Sequence, residues 1–181
     1  MGFSVFDFHP AIVAGLRGQG YARPTPIQEQ AIPIAIDGKD VVGIAQTGTG
    51  KTLAFGLPMI QRLRAEGGMG LVVLPTRELA IQVDETLQKI GGNLGLRTAI
   101  LIGGASMYLQ IQALSRKPHI IIATPGRLND HLSQGKVSLA SVRVAVIDEA
   151  DRMLDMGFYP QIQKIFQTLP ADRQTMLFSA T

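Results

Sequence analysis

The chain has 181 residues, 46% hydrophobic and 17% charged, with a formal charge of +3 and no cysteine. That composition suits one compact domain with a sizeable core, and it excludes a disordered or fibrous segment, a disulfide scaffold and any thiolate metal site. No apolar run reaches the roughly 18 residues of a membrane-spanning helix, and the N-terminus lacks the basic start and long apolar stretch of a signal peptide.

The histidines His9, His119 and His131 have no ligand spacing. The expectation is a cytoplasmic monomer with no membrane partner, whose small positive charge mildly favours an anionic ligand.

In chain order, residues 1–39 read as loop and helix, with a helix over Ile27 to Ile36 behind the segment "GYARPTPIQ", Gly20 to Gln28. Short apolar runs then recur as buried strands at Asp40 to Ile44, Leu71 to Leu74, Thr98 to Ile102, His119 to Ile122, Val142 to Ile147 and Thr175 to Phe178. Helical spacing fills the intervals at Lys51 to Arg64, Arg77 to Ile90, Tyr108 to Leu114 and Gly126 to Leu132. Strand then helix, repeatedly, predicts an α/β fold in which a mostly parallel sheet is flanked by helices on both faces, because parallel strands need crossover connections. Ligands of such sheets gather at the carboxyl ends of the strands.

Two of those strand ends carry chemistry. After the first strand comes "AQTGTGKT", Ala45 to Thr52, which leads into a helix. Gly48 and Gly50 permit a backbone that turns N–H groups inward, Lys51 brings a cation to terminal phosphates, and the Thr52 hydroxyl can ligate Mg²⁺. Ala45 stands where the phosphate-loop pattern has its first glycine, and an ordinary Gly-rich strand-to-helix turn is the alternative.

The second end is "VAVIDEAD", Val144 to Asp151, in which a buried strand delivers acids that need a cation or strong donors. Asp148 is the candidate Mg²⁺ ligand and Glu149 the candidate base for the attacking water; the alternative is a solvated helix start, where acids favour the macrodipole.

Spelled "DEAD" at Asp148 to Asp151, the acidic motif resembles that of the DEAD-box RNA helicases, and the chain is similar to their first, RecA-like domain along nearly its whole length. The resemblance implies a single N-terminal RecA-like ATP-binding domain over 1–181, with a Q-motif region at 1–39 and the core at 40–181. It also implies ATP and Mg²⁺ as cofactors and ATP hydrolysis involving Lys51, Asp148 and Glu149.

In "GYARPTPIQ" it implies an adenine pocket containing Tyr21, Arg23 and Gln28, with Phe3 stacked on the ring; Ala45, Gln46, Thr47, Gly48, Thr49, Gly50, Lys51 and Thr52 complete the nucleotide site. Gln28 suits adenine because a side-chain amide offers a donor and an acceptor together. Without the resemblance, the segment reads as a Pro-rich turn capping a helix, with Phe3 in the core.

Further matches are "PTRELA", Pro75 to Ala80; Gly103-Gly104; and "TPGR", Thr124 to Arg127. The resemblance assigns Pro75, Thr76, Arg77, Gly103, Gly104, Thr124, Pro125, Gly126 and Arg127 to the sugar-phosphate backbone of RNA. Hydroxyls, guanidinium groups and exposed N–H groups make contacts of that kind that carry no base code. With no aromatic platform among these residues, the grip is expected to be sequence-tolerant and salt-sensitive; as isolated motifs, Pro-Thr and Pro-Gly are equally ordinary helix starts.

"SAT", Ser179 to Thr181, implies coupling of hydrolysis to unwinding through Asp151. In "RMLDMGF", Arg152 to Phe158, the residues Met153, Leu154, Met156 and Phe158 are expected to pack a helix and turn against the core.

The family uses a second RecA-like domain, whose sequence is expected to be absent here, to close over ATP and supply arginines. Slow turnover and weak RNA binding by this half alone are the corresponding expectations. A non-catalytic ATP and RNA binding module and a DNA-directed motor are the competing readings.

Overall fold

The computed structural model describes residues 2 to 181. A 3-10 turn at Phe3–Phe6 leads into α1 (Pro10–Gly18) and α2 (Pro26–Ile36), then β1 (Val41–Ile44), α3 (Lys51–Glu66), β2 (Met69–Val73) and α4 (Arg77–Gly91). After a second 3-10 turn at Gly92–Leu94 come β3 (Thr98–Leu101), α5 (Met107–Ser115), β4 (Ile120–Ala123), α6 (Pro125–Ser133), β5 (Val142–Ile147), α7 (Ala150–Asp155), α8 (Tyr159–Phe166) and β6 (Gln174–Ser179). Proline opens α1, α2 and α6, where its missing N–H has no intrahelical partner to lose.

The strands form one sheet in the order β1-β6-β5-β2-β4-β3, and every pairing is parallel. The expected mostly parallel sheet is thus wholly parallel. Alternate residues of β5 enter opposite cores: Val144 and Val146 join Phe55, Leu57 and Phe178 under α1 to α4, while Ala145 and Ile147 join Leu128, Met153 and Ile165 under α5 to α8. A sheet between two helical layers, as expected of a RecA-like domain, follows from that alternation.

Because all strands run the same way, the loops after each of them leave one edge of the sheet. That edge therefore collects the phosphate loop, the PTR, GG and TPGR segments, the acids and the SAT end.

The helix and turn expected over Arg152 to Phe158 are present, but the expected packing of Leu154 and Met156 is corrected. Residues 152–158 make a short α7 and a left-handed turn at Gly157 (φ 81°), followed by a separate α8. Only Met153 of the apolar residues there is fully buried; Leu154 is 56% and Met156 49% exposed. The helical advance of about 100° per residue turns Leu154 away from the face that Met153 buries, and Met156 lies past the helix end.

Candidate nucleotide site and adjoining groove

A cleft of about 440 Å³ opens at the carboxyl ends of β1 and β5. Its lining includes Tyr21, Arg23, Gln28, Thr47, Gly48, Gly50, Lys51, Thr52, Asp148 and Glu149, so most of the predicted nucleotide residues and all three predicted catalytic residues share one space.

Lys51 Nζ stands 3.0 Å from Asp148 Oδ1 and 3.0 Å from Glu149 Oε1. All three side chains are nearly inaccessible, at 6%, 3% and 8% exposure. Burial pushes the Asp148 carboxyl above its ordinary range, against the pull of the Lys51 ammonium. The Glu149 backbone N–H donates to Asp148 Oδ1 at 3.0 Å, and the Thr47 hydroxyl donates to Glu149 Oε1 at 2.8 Å. Glu149 itself is held in the left-handed region (φ 58°), a conformation that costs a non-glycine residue on the order of 1–3 kcal/mol and that surrounding structure must impose.

Gln28 joins α2 to the phosphate loop. Its Nε2 donates to the Gly50 carbonyl at 2.9 Å, and its Oε1 accepts from Thr25 N–H at 2.9 Å. One amide hydrogen and one acceptor lone pair are left over, enough for the edge of a base. Gly50 has φ 85°, and a Cβ there would come within 2.5 Å of Gln28 Nε2; no other residue permits this approach.

Four predicted residues lie outside the cleft. Phe3 is 4% exposed in the core, its ring centroid 6.1 Å from that of Phe6. Ala45, Gln46 and Thr49 line a second hollow on the other side of the loop, with Ile27, Ile44 and Ala180. Ala45 N–H donates to Ser179 O at 2.8 Å, continuing the pairing of β1 with β6 into the loop.

A cleft wall absent from the sequence reading is α4, which contributes Leu79, Gln82, Val83 and Thr86. Their three- and four-residue spacing places them on one helical face, but no motif marks that face as a lining.

The same helix begins in a shallow groove of about 450 Å³ lined by Pro75, Thr76, Arg77, Gly103, Gly104, Thr124, Gly126 and Arg127. Eight of the nine residues assigned to RNA by resemblance meet here; Pro125 is buried in the first turn of α6. Thr76 caps α4 by accepting from Leu79 N–H at 3.2 Å. The Arg77 guanidinium lies against Gly104, where a Cβ would come within 2.6 Å of its Nη1. Arg127 turns partly inward and donates from Nη1 to Ala105 O at 2.8 Å. Phe158 also lines the groove, an aromatic that sequence reading assigned wholly to the core.

At the end of β6, Thr181 Oγ1 donates to Asp151 Oδ2 at 3.2 Å, and Thr181 N–H donates to Ser179 Oγ at 3.4 Å. Partial desolvation raises Asp151, but hydrogen bonds from the Arg152 and Ala180 N–H groups and from Ser179 and Thr181 outweigh it and hold the carboxyl low.

Among the described residues no helix is long and apolar enough to cross a membrane, and no three His, Asp or Glu side chains stand together as a metal site. The hard-oxygen donors Asp148 and Thr52 suit Mg²⁺, which takes few protein oxygens and completes its shell with phosphates and water.

The fold and the sequence both resemble those of known proteins. A DEAD box protein from the hyperthermophile Methanococcus jannaschii superposes with a TM-score of 0.93 at 39% identity, covering 100% of this chain and 50% of that one. The ATP-dependent rRNA helicase RRP3 of Pyricularia oryzae is 53% identical over 164 residues, which is 89% of this chain and 30% of that protein. The ATP-dependent RNA helicase CshA of Limosilactobacillus reuteri is 46% identical over 183 aligned positions, or 100% of this chain and 37% of that protein. This chain thus spans about a third of the curated relatives it matches. The profile of the DEAD/DEAH box helicases matches residues 25–181, which takes in every motif gathered at the carboxyl edge of the sheet, and the chain belongs to that family.

Proposed function

We propose that this chain is the nucleotide-binding half of an ATP-dependent RNA helicase: it binds Mg²⁺-ATP or Mg²⁺-ADP in the cleft and contributes RNA backbone contacts from the groove. The observation that carries the reading is the Lys51 ammonium held 3.0 Å from each of two buried carboxylates in a phosphate-loop cleft. Such a cluster keeps a cation, a metal ligand and a base in reserve and lets phosphate oxygens exchange for carboxylates at Lys51.

In this reading the inward N–H groups of the loop and Lys51 take the β- and γ-phosphates. Glu149, released from Lys51, accepts a proton from the attacking water. Gln28 reads the adenine edge with its remaining donor and acceptor, beside Tyr21 and Arg23. Asp148 and the Thr52 hydroxyl would hold Mg²⁺, which supplies positive charge against the phosphate oxygens.

In the groove, Arg77 and the N–H groups near Gly103-Gly104 and Gly126 hold phosphates and sugars without reading bases. Coupled hydrolysis and local unwinding are proposed for the longer polypeptide, in which a second RecA-like domain supplies arginines worth on the order of 10³ to 10⁵ in rate.

The test is calorimetric titration of this chain with Mg²⁺-ADP and, in parallel, Mg²⁺-GDP. Saturable binding with preference for ADP is expected; equal affinity for the two removes Gln28 from base reading, and no binding by folded protein sinks the proposal. In the protein joined to its second domain, Glu149→Gln should keep ATP binding and abolish RNA-stimulated hydrolysis, whereas unchanged turnover would remove Glu149 from the role of base.

A further inference from the structure

Gln110 on α5 and His131 on α6 belong to none of the motifs above, yet both are buried polar residues, 5% and 0% exposed. Gln110 Nε2 donates to Ile102 O at 2.9 Å. Gln110 Oε1 accepts from Arg127 Nη1 at 3.2 Å and lies 2.7 Å from His131 Nε2. The same Arg127 Nη1 donates to Ala105 O at 2.8 Å.

The pattern fixes the chemistry. The Arg127 contact marks the Gln110 atom as the amide oxygen, which carries no hydrogen to give, so His131 Nε2 carries the imidazole hydrogen and donates. Nδ1 is left bare and buried without a partner. Burial lowers the imidazole's proton affinity and the Arg127 charge lowers it further, against the pull of Asp130, which favours the neutral ring that this hydrogen bond requires.

Ile102 and Ala105 flank Gly103-Gly104, where Gly104 has φ 79°. Two adjacent glycines have no side chains to hold their backbone, so the loop is fixed from outside, at one end by Gln110 and at the other by Arg127. A buried polar cluster of this kind is costly unless its hydrogen bonds are kept.

We propose that Gln110 and His131 are positioning residues: Gln110 holds the Ile102 carbonyl itself and, steadied by His131, holds Arg127 against the Ala105 carbonyl, and so they set the shape of the groove around Gly103-Gly104 before a strand arrives. The consequence for RNA affinity rests on the RNA-binding role proposed above; the bracket itself does not.

The test compares this chain with His131→Leu, which cannot donate to Gln110, and His131→Gln, whose amide can. Gln110→Leu is the second probe. Three quantities are read: amide hydrogen exchange at Gly104 and Ala105 without RNA, affinity for a mixed-sequence single-stranded RNA, and affinity for Mg²⁺-ADP.

His131→Leu and Gln110→Leu should speed exchange and weaken RNA binding, each about tenfold, with ADP affinity within about twofold of the parent; His131→Gln should restore both. Unchanged loop exchange in both leucine variants overturns the bracket. Faster exchange with unchanged RNA affinity overturns its consequence for the groove. Faster exchange in the leucine variants of a parent chain that binds no RNA supports the bracket and instead overturns the RNA-binding role.

Discussion

The side-chain amide of Gln28 and the backbone carbonyl of Gly50 meet at 2.9 Å, so the helix that precedes the sheet holds the phosphate loop by its own main chain. Gln28 also accepts from Thr25 N–H. Gln28→Leu is expected to lose both bonds, leaving the part-buried Thr25 N–H unpartnered and the Gly50 carbonyl with only its bond from Ala54 N–H, at about 1–3 kcal/mol in urea unfolding. Gln28→Glu keeps the acceptor for Thr25 but sets an oxygen against the Gly50 carbonyl, so ADP affinity should fall further than in Gln28→Leu. Equal or tighter ADP binding by Gln28→Glu would show that the clasp does not shape the loop.

Lys51 separates Asp148 from Glu149. Removing it in Lys51→Met leaves two buried carboxylates without their cation, and a loss of about 3–5 kcal/mol is expected. Replacing both acids as well, in Lys51→Met with Asp148→Asn and Glu149→Gln, should recover most of that loss. Denaturant titration of the single and triple variants checks this; a single variant as stable as the parent would mean that the carboxylates find other partners or protonate freely.

Arg77 and Arg127 should behave differently although both belong to the groove. Arg77 is exposed, its side chain at 56%, so Arg77→Ala should leave stability within about 0.5 kcal/mol while lowering RNA affinity and the salt slope by about one contact. Arg127 also holds the loop through Ala105 and Gln110, and Arg127→Ala should cost about 1–3 kcal/mol of stability in addition. RNA binding at several salt concentrations, set beside urea midpoints, distinguishes the two.

His131 predicts a pH dependence. Burial lowers its folded-state proton affinity below the ordinary histidine value, Arg127 adds to the effect, and Asp130 opposes it. The unfolded chain therefore takes up a proton first as pH falls. The contribution of His131 to stability is complete above the ordinary value near pH 6.5 and is lost as pH falls toward the folded value, at no more than about 1.4 kcal/mol per pH unit. His119, lowered by burial and Arg97, titrates in the same direction. The difference between the parent and His131→Gln isolates the first residue: the parent's midpoint should fall more steeply as pH drops below about 6.5. Parallel curves would place the titrating group elsewhere.

Legibility in the sequence followed the range of the interactions. β5 was readable to the residue as Val142 to Ile147 because a continuous apolar run ends in acids. β2 begins two residues before its expected start, at Met69. In the sheet a Cβ on Gly70 would lie 2.7 Å from Met59 Sδ, so this glycine serves the contact with α3.

Most residues lining the cleft and the groove were readable as motifs, those of the phosphate loop, the acids and the groove because they follow strand ends. Side-chain direction was not. Whether Arg127 faces solvent or Ala105 depends on Gln110 from another helix, and the wall that α4 lends to the cleft depends on how that helix lies on the sheet.

The pairing of β1 with β6 alone ties the nucleotide site to the order in which the chain is made. The strand that carries the phosphate loop leaves the ribosome well before β6, its one neighbour in the sheet among the described residues, so the bond from Ala45 to Ser179 waits for that strand. Non-local parallel pairings of this kind form late. A nascent chain lacking β6 should therefore have the helices and central strands but a phosphate loop without its neighbour in the sheet, so the ATP binding proposed here could stabilise the fold only after β6 has docked.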